Sequence, residues 1–186
     1  MKVADRIPGF RGEFLWELDI ATRQHLALAE AFPPEKYSWR PDVKARSVSE
    51  VFVHVAAGIL MLLEVVGATA GQEFYKDLST NGPERFLGMI RKNDELEGSL
   101  REKNGVLNLL KLAFRGAEQT VAQTSDAELD RPMLFFYEQT TVRRVYLRLL
   151  VHTHEHMGQV IAYLRSNGIA PHGKTGGQIA AAAGKT

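Results

Sequence analysis

Residues 51–70 are apolar at nearly every position, over about the length of a bilayer crossing. Such a run has no polar face to offer to water, so it must be surrounded by lipid or by other helices. His54 and Glu64 fall inside it. Ionisable groups at membrane depth are costly, and no second span exists in the sequence to shelter them. The run therefore reads as a helix enclosed by a bundle, and the rest of the chain must supply the enclosing helices.

Ser47-Val48-Ser49-Glu50 matches a capping box and starts that helix at Val48, with Gly67 and Gly71 weakening its far end near Ala70. Ahead of it, residues 8–32 form a first amphipathic helix, with Phe10, Phe14, Leu18, Ala21, His25 and Leu28 at helical spacing. Pro33-Pro34 ends this helix, and a loop carries Tyr37 and Trp39 over one end of the bundle. Residues 72–102 are the least regular. Asn81-Gly82-Pro83 breaks them, and short helical turns are expected at 84–90 and 94–101.

A third helix spans 105–123, with Val106, Leu109, Leu110, Ala113, Ala117 and Val121 in register. Residues 132–137 are apolar and aromatic, an extended crossing packed on the bundle or a short hairpin. A fourth helix, capped by Thr140 or Thr141, runs over 141–166 and stops at Asn167-Gly168. The expectation is an all-α, four-helix bundle over residues 1–170, with a Gly/Ala-rich mobile tail at 171–186.

The fourth helix carries His152-Thr153-His154-Glu155-His156. Positions i and i+4 lie one above the other, so His152 and His156 point the same way, about 6 Å apart along the axis. Two imidazoles so placed can grip one metal ion; His154 points elsewhere. Leu149, His152, His156, Gln159 and Tyr163 share a stripe, with Arg148 at its edge, and polar groups on an inward face need partners. His54, inside the apolar helix, supplies a third imidazole if the two helices face each other in the core. Three histidines with a vacant fourth position suit catalytic zinc, and imidazole equally suits nickel, copper or iron.

His152-x-x-x-His156-x-Gly158-Gln159, continuing through Tyr163 and Asn167-Gly168 to Pro171, resembles the signature helix of the DinB (damage-inducible) family, as does His54 within Val51-Phe52-Val53-His54-Val55-Ala56. The resemblance extends from about Phe10 to Pro171. It implies a DinB-like four-helix bundle with long crossover connections, a divalent metal (nickel or zinc foremost) on His54, His152 and His156, and a homodimer. Some members of the family use a low-molecular-weight thiol cofactor to transfer it or to isomerise a substrate, while many have no assigned reaction.

Two other motifs are decoys. His152-x-x-Glu155-His156 fits an inverzincin protease pattern, which needs a further acidic ligand downstream, and no Asp or Glu follows Glu155. Gly168-x4-Gly173-Lys174-Thr175 fits a phosphate-binding loop, but it follows a helix where that loop must follow a strand. The net charge of +1 makes no case for nucleic acid or a membrane surface. The chain has no cysteine, which fits a reducing cytoplasm and requires any thiolate to come from a cofactor. Its first six residues lack the apolar core of a signal peptide.

The expected function is thus a metal-dependent enzyme acting on a small molecule, with a thiol S-transferase first. Tyr163, Gln159 and Arg148 are the candidates to position or polarise the second substrate. The alternatives are a non-catalytic metal or small-ligand binding module, another metal-dependent activity such as hydrolysis, or a bundle that holds no metal.

Overall fold

The computed structural model describes residues 7–78 and 82–171. The first six residues, Asn81, His172, the Gly-Lys-Thr at 173–175 and the Gly/Ala-rich tail beyond Pro171 lie outside them.

The apolar run forms α2 (Val48–Val65), and its start is the capping box expected. Ser47 Oγ accepts from the Glu50 N–H at 3.3 Å, and Glu50 accepts from the Ser47 N–H at 2.7 Å. Two donors that a helix start leaves orphaned are thereby satisfied, a contribution of about 1 kcal/mol. Helix α2 has a mean hydropathy of 1.9, and 72% of it is buried inside the fold. It alone among the described residues is long and apolar enough to cross a membrane, and its apolar surface is already covered by protein.

That cover comes from four sides. Helices α1 (Phe10–Ala31), α5 (Lys103–Gln123) and α7 (Val142–Ser166) complete a four-helix square in which α1 and α2 occupy opposite corners, each packing on both α5 and α7. Helices α3 (Thr69–Phe74) and α4 (Gly82–Ser99) close the remaining flank of α2. Phe52, Ile59, Leu60 and Leu63 are all but fully buried, each worth roughly 1.5–3 kcal/mol of transfer free energy. The loop aromatics do cover one end of the bundle: Tyr37 donates to Ala29 O at 2.9 Å and stacks on Phe52.

Two expectations are corrected. Helix α2 ends at Val65, short of Ala70, because Gly67 takes a φ of 83° and reverses the chain. Its N–H donates to Glu64 O, and that of Ala68 to Leu63 O, which together make a Schellman cap. Residues 82–99 form one continuous helix instead of two turns. The buried face of α4 includes Asn93 and Glu97 beside Gly88 and Met89, so its periodicity is polar and escapes a hydrophobic count.

Of the two readings of the aromatic segment, the hairpin is the one observed: β1 (Pro132–Phe135) and β2 (Glu138–Thr141) pair antiparallel, with Phe135 opposite Glu138. Its two-residue turn places Phe136 and Tyr137 at φ 47° and 66°, values that such turns usually give to Asn-Gly. Tyr137 stands off the bundle, while Phe136 packs edge-on against Phe86 of α4 at 5.6 Å. Between α5 and the hairpin lies the short α6 (Asp126–Leu129).

Candidate metal centre

Helices α2 and α7 lie side by side, and their facing stripes bring His54 against His152 and His156. The ring centroids are 4.7 Å apart for His152–His156, 4.7 Å for His54–His156 and 5.0 Å for His54–His152. One ring nitrogen from each falls within 4.8 Å of the others. The approach depends on Gly58, one turn beyond His54. A Cβ there would stand 2.5 Å from His152 Cε1, so only glycine lets that ring lie on the backbone of α2.

Two of the three imidazoles have their outer nitrogen fixed by a hydrogen bond. His54 Nδ1 meets Glu97 Oε1 at 2.6 Å, and Arg46 Nε donates to the other carboxylate oxygen at 2.7 Å. His156 Nδ1 meets Gln159 Oε1 at 2.9 Å; Gln159 Nε2 donates to Tyr163 Oη at 2.9 Å, and Tyr163 donates to the backbone carbonyl of Arg46 at 3.0 Å. Because Glu97 and the amide oxygen of Gln159 can only accept, both histidines carry their proton on Nδ1 and turn Nε2 inward.

His152 differs. Its Nε2 lies 3.2 Å from His54 Nε2, and its Nδ1 is buried with no hydrogen-bond partner.

Burial, and then the charges of His156, His54 and Arg148, push the His152 pKa down to about 3. Burial and the charges of His54 and Arg46 also hold His156 below its ordinary value, against the pull of its bond to Gln159. Both rings are neutral near pH 7, the form that offers a lone pair. Glu97 is buried, which works to raise its pKa, but the bonds from His54 and Arg46 outweigh this and keep it ionised.

The donor set fits a divalent cation. Three imidazoles converge, with two oriented from behind. The 3.2 Å contact between two Nε2 atoms matches the roughly 3.3 Å separation of nitrogens sharing a tetrahedral zinc at 2.0–2.1 Å.

Of the other expected residues, Gln159 and Tyr163 are committed to the chain behind His156. Arg148 lies on the exposed edge of α7, forked onto Glu155 at 3.1 and 3.0 Å. His154 bonds Leu150 O on the surface. His25 is buried in the core, with Nδ1 on Ala21 O and its ring against Phe114. Sequence reasoning missed Glu97, Arg46 and Gly58. Only Glu97 left a signal, as an acid four residues after Asn93 on the inward stripe of α4.

A profile of the DinB superfamily matches residues 17–160, a span that takes in all three histidines and the glycine and glutamate that support them. No curated protein matches the chain.

Proposed function

The chain belongs to the DinB superfamily, and from that premise we propose that it binds one divalent metal ion, nickel or zinc foremost, through His54, His152 and His156, and acts as a metal-dependent S-transferase with a low-molecular-weight thiol. The observation that carries the metal assignment is the convergence of three imidazoles, two of them locked with Nε2 inward. The choice of reaction is supported by the family resemblance; because the chain has no cysteine, any thiolate in it would come from a small molecule.

When bound, the ion supplies Lewis acidity and favours the ionised form of a water or thiol in its open position. In the transfer, the sulfur forms a bond to an electrophilic carbon. The bond from that carbon to its leaving group breaks, the leaving group departs with the electron pair, and the thiol proton passes to solvent. His54 and His156 take no part as bases, because their outer nitrogens are already proton donors. Gln159 and Tyr163 act as positioning residues behind His156. Arg148 exchanges Glu155 for an anionic group on the second substrate, as a planar fork suited to carboxylates does.

The test is turnover of an electrophilic chloroarene with added thiol. Metal-dependent thioether formation, lost on chelation and regained with nickel or zinc, is expected. Stoichiometric metal with no turnover of any thiol would instead make the protein a binding module.

We also propose pairing with a second copy through the outer faces of α1 and α7, which pack together. Trp16 on α1 and Leu147 and Val151 one turn apart on α7 remain about half exposed there. Light scattering should give twice the 20.8 kDa chain mass, falling to the monomer in Val151→Glu.

A further inference from the structure

Arg46 stands in the loop ahead of α2, one residue before the Ser47 cap. Its side chain reaches Glu97 on α4, and its carbonyl receives Tyr163 from α7. The two arms that orient His54 and His156 therefore begin on the same residue. We propose that Arg46 is a positioning residue that couples two of the three metal ligands, so that neither imidazole can be reoriented without disturbing the other. This rests on the metal-binding reading above.

The local structure explains how one loop residue can do this. The Ser47–Glu50 capping box fixes the peptide that follows Arg46, and Glu50 is held in turn by Arg40 at 2.8 Å. Arg40 also donates to Ala45 O, closing the loop on itself. Trp39 packs edge-on against Tyr163 at 5.4 Å, so the same loop braces the second arm. The guanidinium is 41% exposed, and an isolated surface pair of that kind would be worth little. Its partner is not isolated: Glu97 is 11% exposed and accepts from His54 on its other oxygen, so losing Arg46 would leave a partly buried carboxylate with one partner. Removing such an outer hydrogen bond typically weakens metal affinity by about 10–100-fold.

The experiment compares full-length wild type with Arg46→Met, Tyr163→Phe and the double variant. Zinc affinity is measured by chelator competition, and the ring nitrogen-15 signals of the metal-free proteins by NMR. Arg46→Met keeps the backbone carbonyl but removes the donor to Glu97. We expect about a tenfold loss of zinc affinity, a double-variant loss that differs clearly from the product of the single losses, and a shift of the His156 ring signals both in Arg46→Met and in Arg46→Lys, which keeps the charge that itself acts on His156.

Independent losses that multiply, or His156 signals unmoved in Arg46→Met or in Arg46→Lys, would overturn the coupling. Should Arg46→Met not fold, Arg46→Lys carries the same test, with a smaller loss expected because lysine keeps the charge but lacks the fixed fork. A wild type that binds no zinc would refute the metal reading alone, since the ring signals of metal-free protein still report whether Arg46 links the two histidines.

Discussion

Glu97 holds His54 from behind at 2.6 Å, across the interface between α4 and α2. Helix α4 lies outside the four-helix square, so the metal centre depends on an element that the bundle itself does not require. Glu97→Ala should weaken zinc or nickel binding by about 10–100-fold, as loss of a carboxylate behind a liganding imidazole generally does. Glu97→Gln, which can still accept from Nδ1, should fall between that variant and wild type. Chelator competition measures both, and equal affinities in all three proteins would remove Glu97 from the centre.

Gly58 gives a cleaner separation of site from fold. Alanine is the better helix former by about 1 kcal/mol, so Gly58→Ala should leave α2 helical and the melting temperature close to wild type. Its Cβ would nevertheless stand 2.5 Å from His152 Cε1 and push that ring out of line. Metal affinity should fall at least tenfold with circular dichroism unchanged.

Gly71 packs equally close to a neighbour that cannot yield. A Cβ there would collide with the backbone of Glu64 and Leu63 in α2. Gly71→Ala should therefore destabilise the fold by about 2 kcal/mol, in the range of overpacked cores, as read from denaturant midpoints.

His25 controls part of the acid stability. Burial lowers its pKa to about 4 from 6.5. Between those values the unfolded chain binds a proton that the folded chain refuses, so stability rises with pH across the window and is lost as pH falls through it. From pH 7.5 to 4.5 the loss through this one residue is on the order of 2–3 kcal/mol. His25→Leu should flatten the pH dependence of unfolding by about that amount over this interval.

How far the sequence carried these conclusions varies by residue. The Ser47–Glu50 cap, the Asn167-Gly168 exit and the His152/His156 spacing are local, set by a few neighbouring residues, and they stand as read. His54 was legible because an ionisable group in an otherwise apolar helix demands a partner. Helix α4 was not, since its buried face carries Asn93, paired with Tyr75 at 2.7 Å, and Glu97, paired with His54. Those groups look exposed until the residues 18 and 43 positions away that satisfy them are in place. Arg46 was invisible for the same reason, as its two roles are met by α4 and α7. Gly58 shares a stripe of α2 with His54, and its purpose appears only when a ring from another helix lies on it.

The central claim is the three-histidine metal centre, and elemental analysis of protein purified without a histidine tag tests it most directly. One nickel or zinc per chain is expected in wild type, with occupancy lost in His54→Ala, His152→Ala and His156→Ala and retained in His154→Ala. Full occupancy in His54→Ala, or no metal uptake by wild type offered nickel or zinc, would contradict it.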